Sequence, residues 1–301
     1  MKSEFKIGTV AVAGLPNVGK SSLINQLVGE KVGIVSEKPQ TTRKRVVGIY
    51  TSDECQLMFV DAPGFIRAES GLNKFIQDEA DSVCKSADII LLVMSTDMKS
   101  LRPVERAIEK MKEMNKPWFV ILNKMDENKL HRVVLLEKFV TDNEVPFIKH
   151  STVDSGYDQS AVIIEKICET SLRTGTPLHD PDAFTTARTR DWVSEVIREK
   201  CFELLHQELP FNIAIQVKKF DETDQNCLRI FADIVVAKKN HISIVVGKEG
   251  SKIKEIGMNS RKEIENLLGQ KIFLKLFTKV KSDWTTNKSF LKELGYVVKG
   301  K

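Results

Sequence analysis

Gly14-Leu-Pro-Asn-Val-Gly-Lys-Ser21 is the stretch from which the fold is read. It matches Gly-x-x-x-x-Gly-Lys-Ser/Thr without a gap. The apolar run Ile7–Ala13 leads into it, and the amphipathic stretch Lys20–Val28 leads out. That is the strand–loop–helix setting in which such a loop wraps a polyphosphate. The residue types follow from the chemistry. Gly14 and Gly19 let the backbone come close to phosphate. Backbone N–H groups from Asn17 and Val18 through Ser22, at a helix N-terminus, bind its negative charge. Lys20 is expected to reach the β- and γ-phosphates, and Ser21 to ligate Mg2+.

Outward from this loop, the first 170 residues alternate short apolar runs with helical patterns. The apolar runs are Ile7–Ala13, Val46–Tyr50, Gln56–Val60, Ile89–Met94, Trp118–Leu122 and Phe147–Ile148. The helical patterns are Lys20–Val28, Leu72–Cys84, Pro103–Met114, Lys129–Asp142 and Ser160–Ser171. Such alternation predicts an α/β domain with a mostly parallel sheet and helices on both faces. Only Thr51–Cys55 joins Val46–Tyr50 to Gln56–Val60, which is too short for a crossover, so this pair should form an antiparallel hairpin.

Three more stretches fall at the carboxyl ends of predicted strands, where open α/β sheets bind ligands. Asp61-Ala-Pro-Gly64 offers an Asp for magnesium, through water, and a Gly to bond the γ-phosphate. Asn123-Lys124-Met-Asp126 offers a carboxylate that accepts two hydrogen bonds from guanine, which adenine cannot supply. His150-Ser151-Thr152-Val brings backbone N–H groups to the base oxygen. Here the sequence resembles the translation-factor-related GTPases. Lys38-Pro-Gln-Thr-Thr-Arg43 lies where such proteins carry their first switch loop. A Thr there can reach magnesium and the γ-phosphate and let go after hydrolysis. Thr42 is favoured, with Thr41 as the fallback. Lys20, Thr42, Gly64 and Asn17 are the candidate catalytic residues.

The pattern breaks near Arg173–Pro181, where two prolines and a glycine read as a linker. After it comes a helix (Asp191–Glu208), two strands (Asn212–Phe220, Cys227–Ala237), two helices (Ile242–Val246, Ser251–Leu268) and a strand (Lys271–Lys279). This α-β-β-α-α-β order is that of an α+β type II KH domain, and a helical tail follows it. The boundaries expected are 1–172, a linker 173–187, and 188–301. Gly247-Lys248-Glu-Gly250 lies between the two adjacent helices. In a KH module such a loop clamps about four nucleotides by their backbone. Gly247 and Gly250 allow close approach, and Lys248, Lys252 and Lys254 supply charge. Glu249 is awkward there unless it points away from phosphate.

Charge supports a polyanion partner. Residues 1–180 carry 24 basic and 25 acidic side chains, residues 181–237 carry 7 and 10, and residues 238–301 carry 15 and 6. The surplus therefore sits in the last quarter, around the Gly-x-x-Gly loop. The five cysteines of 301 residues lack metal-ligand spacing and suit a reducing compartment. No apolar run approaches the ~18 residues of a membrane span, and the N-terminus has no signal pattern.

Gly14–Ser21, Pro39–Arg43, Asp61–Gly64 and Asn123–Asp126 together resemble the Era family of bacterial GTPases. So do Pro177–Asp182, Arg198–Lys200, Glu208–Phe211 and Ser282–Trp284 with Phe290–Tyr296. The family more often has Ser-Ala where this chain has Ser151-Thr152. The resemblance implies a Mg2+-dependent GTPase that binds the 3′ end of small-subunit ribosomal RNA and acts in small-subunit assembly. It implies a cytoplasmic monomer, and any membrane contact would be peripheral, at the inner face of the cell membrane. In GTPases of this kind, an Asn at the Asn17 position helps hold K+ against the phosphates; here it either does so or merely shapes the loop. Two rival functions stay open. One is a degenerate GTPase acting only as a binding module, which the presence of Lys20, Ser21, Thr41, Thr42, Asp61 and Asp126 opposes. The other is a GTPase subunit of a transfer-RNA-modifying enzyme, whose usual cysteine-bearing C-terminal motif is missing at Lys299–Lys301.

Overall fold

The computed structural model describes residues 4–36, 38, 41–98, 100–126, 130–170, 172–223 and 227–296. Pro39 and Gln40 of the switch stretch, Lys129 and Ser171 at expected helix ends, and Lys299–Lys301 lie outside them. The chain forms two compact units, Met1–Ala68 with Ile76–Thr186, and Glu69–Phe75 with Ala187–Lys301.

In chain order the first elements are β1 (Lys6–Gly14), α1 (Lys20–Val28), β2 (Val46–Thr51), β3 (Cys55–Asp61), α2 (Gly71–Ser86), β4 (Ile89–Ser95), α3 (Arg102–Glu113), β5 (Trp118–Asn123), α4 (Leu130–Asp142), β6 (Phe147–Lys149), α5 (Ser160–Cys168) and β7 (Arg173–Thr174). The sheet runs β2-β3-β1-β4-β5-β6, with β7 pairing the start of β1. β2 is antiparallel to β3, and the pairings of β1 with β3 and β4, of β4 with β5 and of β5 with β6 are parallel. This is the hairpin-in-a-parallel-sheet layout expected from the loop lengths.

Alternation along β1 sorts the core into two layers. Ala11 and Ala13 face α2, α3 and α4 through Val83, Ile108, Met111 and Val140. Val10 and Val12 face α1 and α5 through Leu23, Ile24, Ile163 and Ile167. All seven residues of β3 and all seven of β4 are buried, as central strands covered on both faces require. Ladder hydrogen bonds then leave each parallel strand's carboxyl end free to carry a functional loop.

The Pro-rich stretch read as a linker is held along the first unit. Buried Gln56 accepts from the backbone N–H groups of Leu178 (2.7 Å) and His179 (2.9 Å) and donates to the His179 carbonyl (3.0 Å). Thr185 donates to the Val47 carbonyl at 2.7 Å. Prolines cannot donate, so this irregular backbone is satisfied by a side chain instead.

The second unit contains α6 (Thr189–Leu204), β8 (Ile213–Asp221), β9 (Leu228–Val236), α7 (Lys239–Val246), α8 (Ser251–Leu268), β10 (Ile272–Val280) and α9 (Lys288–Glu293). Its sheet runs β10-β9-β8. β10 is parallel to β9 and β8 antiparallel to it. The expected helix to Glu208 ends four residues early. Leu205 is already extended, Gln207 has φ +56°, and Leu209–Asn212 form a separate 3-10 turn that contains Pro210. The extended Leu205 and the positive φ of Gln207 interrupt the helical hydrogen-bond ladder, which ends the helix short of the Leu-Pro pair. Trp284, fully buried, donates its indole N–H to the Asn212 carbonyl at 3.1 Å and pins the tail to this turn. Among the described residues, no helix is long and apolar enough to cross a membrane.

Candidate functional site

The loops after β1, β3 and β5 converge on a cleft of about 550 Å³ in the first unit, within the range of small-ligand pockets. Asn17, Gly19, Lys20, Ser21, Ser22, Thr42, Gly64, Asn123, Lys124, Asp126 and Thr152 line it. Asp61 and Ser151 stand just behind the lining, bonded to residues in it. Val18 points into the core, and its carbonyl accepts from Asn123 Nδ2 at 3.0 Å. Asn123 therefore ties the β5 loop to the phosphate loop rather than facing the cleft alone. Pro16, Ile34, Val35, Ser36 and Val153 also line the cleft. Pro16 and Val153 fall inside the quoted motifs at positions not singled out there, while no motif spacing marked Ile34, Val35 and Ser36, which sit in an irregular loop brought over the site by the fold.

Two glycines are required by close packing. Gly14 has φ +146°, and a Cβ on it would lie 2.3 Å from the Val93 carbonyl oxygen. A Cβ on Gly64 would lie 2.7 Å from the Pro16 nitrogen. The Asp61–Gly64 turn thus lies directly on the phosphate loop, and Phe65 N–H donates to the Gly14 carbonyl at 2.9 Å. Asn17 adopts φ +65° within the loop, a conformation that Asn tolerates better than most residues.

Three oxygens cluster at one end of the cleft. Ser21 Oγ donates to Asp61 Oδ2 at 2.6 Å, Thr42 Oγ1 donates to the same oxygen at 2.9 Å, and the two hydroxyls are 3.1 Å apart. The other carboxylate oxygen, Asp61 Oδ1, is buried with no hydrogen-bond partner. Hard oxygen donors with one oxygen left unsatisfied fit a hard divalent cation such as Mg2+. Thr41 also lines the cleft, but its hydroxyl donates to the Lys38 carbonyl at 2.8 Å. Lys20, buried, donates to the Leu15 carbonyl at 2.8 Å. Burial pushes its pKa down to about 8, against the opposing pull of Asp61. Burial likewise raises the Asp61 carboxyl, while Lys20, Ser21 and Thr42 favour its charged form. Both groups are poised to gain from ligands of opposite charge.

At the other end, Ser151 Oγ donates to Asp126 Oδ1 and accepts from the N–H groups of Val153 (3.1 Å) and Asp154 (3.0 Å). Asp126 itself is exposed to the cleft. Lys124, at φ +63°, pairs with Asp97 at 2.7 Å. Asp97 follows the end of β4, and with Thr96, which donates to the Lys124 carbonyl at 3.1 Å, it fixes the loop. Behind Ser151, fully buried His150 meets Gln26 at 3.1 Å and accepts from Gln159 N–H at 3.2 Å. Burial holds its pKa below the usual value.

In the second unit, Gly247–Gly250 joins α7 to α8. Gly247 has φ +73°, and a Cβ there would sit 2.7 Å from Lys252 Cβ. Gly250 has φ +77° and caps α8. Lys248, Glu249 and Lys254 are exposed. Lys252 is partly buried and pairs with Glu255 at 3.2 Å.

A family model described as a 50S ribosome-binding GTPase matches residues 9–124, and one described as a KH domain matches residues 208–285. The GTPase Era of Geotalea daltonii is 37% identical over 296 residues, covering 98% of this chain and 99% of the relative. That of Clostridium botulinum is 35% identical over 293 residues, covering 97% and 98%. Among solved structures, a variant of Aquifex aeolicus Era bound to GDP and AlF4− superposes with a TM-score of 0.90 at 32% identity, over 98% of this chain and all of that one. An Era in complex with MgGDPNP and nucleotides 1506–1542 of 16S ribosomal RNA also gives 0.90, at 31% identity and the same coverage. The fold is thus a P-loop GTPase domain followed by a KH domain.

Proposed function

We propose, because the chain belongs to the Era family of GTPases, that its GTP turnover governs binding to the 3′ end of small-subunit ribosomal RNA during assembly of the small subunit. One observation carries the reading: one chain holds both a cleft lined from the Gly14–Ser21, Asp61–Gly64 and Asn123–Asp126 stretches and a Gly-x-x-Gly loop set in a basic last quarter of the sequence. Residues 1–172 would act as the GTPase domain and 188–301 as the RNA-binding domain, joined by 173–187.

In the cleft, backbone N–H groups from Asn17 to Ser22 receive the phosphates and Lys20 sets its charge against them. Ser21, Thr42 and Asp61 hold Mg2+, which when bound supplies positive charge to phosphate oxygens as negative charge develops there. Gly64 offers its N–H to the γ-phosphate, and loss of that phosphate frees the Thr42 and Gly64 loops. Asp126 accepts from guanine, Ser151 orients Asp126, and Asn123, Lys124 and the Thr152 backbone complete the base site. Asn17 helps hold K+ as an activating ion. In the second unit Gly247 and Gly250 admit the RNA backbone, and Lys248, Lys252 and Lys254 meet phosphate. We place the protein in the cytoplasm as a monomer, with any membrane contact peripheral.

Crosslinking followed by sequencing of the bound RNA, with GTP and with GDP, tests this. Recovery of small-subunit ribosomal RNA 3′ ends is the expected result. Recovery of transfer RNA instead would overturn it in favour of a transfer-RNA-modifying partner.

A further inference from the structure

The three-stranded sheet of the second unit has two unlike faces. α7 and α8, which flank the Gly-x-x-Gly loop, both pack on β10, and Ile272, Leu274 and Leu276 turn inward to the core. The alternate residues turn the other way: Phe273, Lys275, Phe277 and Lys279 of β10, beside Arg229 and Phe231 of β9. Phe273 and Phe277 are 48% and 44% exposed. Phe231 lies against Phe273 with ring centroids 5.8 Å apart and planes at 53°. The Lys275 ammonium sits 5.3 Å from the centroid of Phe277.

An ordinary solvated strand would show polar residues at these alternate positions, and a buried one aliphatic residues. An alternation of phenylalanine with lysine serves neither purpose. It does serve single-stranded nucleic acid, whose bases stack on aromatic rings while cations meet the phosphates. The rings of Phe273 and Phe277 are four residues apart, roughly 13 Å at about 3.3 Å per residue, which suits the two or three stacked bases of a sheet platform. Charge points the same way, since residues 238–301 hold 15 basic against 6 acidic side chains. Two carboxylates share the face. Lys219 pairs with Asp221 at 2.7 Å, while Asp233 is half-buried opposite Phe277.

We propose that this open sheet face is a second RNA contact. Single-stranded RNA leaving the Gly-x-x-Gly loop meets β10, the strand both flanking helices pack on. It then stacks bases on Phe273, Phe231 and Phe277 in a largely sequence-tolerant way. The proposal rests on the RNA-binding reading above.

The test uses the full chain and two single-stranded oligoribonucleotides: a tetranucleotide that fills only the loop, and a dodecamer from the 3′ end of small-subunit ribosomal RNA. The wild type should bind the dodecamer more tightly. Phe273→Ala and Phe277→Ala should each cost roughly tenfold in dodecamer affinity and leave tetranucleotide affinity unchanged. Phe277→Trp supplies a direct probe, because its emission should be quenched by the dodecamer and not by the tetranucleotide. Unquenched emission, with dodecamer affinity unchanged in the alanine variants and lowered by Lys248→Asp, would overturn the sheet contact and leave the loop reading intact. Failure of the wild type to bind either RNA would overturn both. Alanine variants that keep RNA affinity but lose purified small subunits would mark the face as a protein-docking surface and also overturn the proposal.

Discussion

Asp126 stands at the end of β5 with one carboxylate oxygen accepting from Ser151 and its side chain open to the cleft. On the proposed reading this carboxylate accepts from the two donors on guanine's edge. Asp126→Asn replaces an acceptor with a donor, which matches xanthine, whose corresponding position is a carbonyl. GTP affinity should fall by roughly 10²-fold or more, because a mismatched polar group leaves partners unpaired, and xanthosine triphosphate affinity should rise. Competition binding checks this, and equal GTP binding by both proteins would remove Asp126 from the base site. The second residue-scale prediction concerns hydrolysis. Many small GTPases orient water with a Gln just after Asp-x-x-Gly. Here the position holds Phe65, which packs beneath the Lys110 ammonium at 4.3 Å and cannot hydrogen-bond water. Intrinsic turnover should be slow, and faster in K+ than in Na+ at equal ionic strength, with the difference lost in Asn17→Ala. Identical rates in the two salts would leave an RNA- or ribosome-supplied group as the better source of the missing charge.

Two loops carry predictions at the scale of elements. β6 delivers His150 into a fully buried position where its Nδ1 accepts from Gln159 N–H and Nε2 meets Gln26. Burial favours the neutral ring, Asp158 is the charge opposing it, and the pKa lies below the ordinary 6.5. Between about pH 6.5 and the lower folded pKa, the unfolded chain therefore binds a proton that the folded chain does not. Stability is complete above pH ~6.5 and falls as pH drops through this window, by at most about 1.4 kcal/mol per pH unit for one proton. Melting curves from pH 7.5 to 5 should show this slope, and His150→Gln should flatten part of it; an unchanged slope would clear His150. In the α7–α8 loop, Glu249 sits at φ +53°, which Asp also tolerates. Lys248→Asp with Glu249→Asp should therefore keep the loop's shape while taking its net charge from zero to −2. RNA binding should be abolished, and in milder variants each lost phosphate contact should lower the salt dependence of log affinity by roughly one. Unchanged affinity would mean that the loop is not the clamp. These elements were legible in the sequence because hydrophobic periodicity and turn residues coincide: β2 and β3 were read as a hairpin from five connecting residues. Their ends were not, since α6 stops at Leu204 through local conformations at Leu205 and Gln207 that no periodicity encodes.

Each unit has its own core, one around β1 and β4, the other around α6, β9 and α8. This two-part organisation could be read from a change in element order, α/β to α-β-β-α-α-β. What could not be read was the role of Gln56, a polar residue in an apolar run. Its side chain satisfies the backbone of Leu178 and His179, 122 and 123 residues away. The same holds for Asp97, which supports Lys124 from a neighbouring strand end. Long-range polar support of this sort leaves no local pattern. Separate cores imply separate responses to ligands. A ligand at 100 times its dissociation constant stabilises the unit that binds it by about 2.7 kcal/mol. Scanning calorimetry should therefore resolve a transition that Mg2+ and GDP move upward and a second that single-stranded RNA moves upward. Chelating the metal should lessen the first shift, if Ser21, Thr42 and Asp61 hold the cation as proposed, and leave the second in place. A single transition displaced equally by nucleotide and by RNA would show instead that the two cores unfold as one cooperative body, with each site then sensing the other's ligand through stability alone.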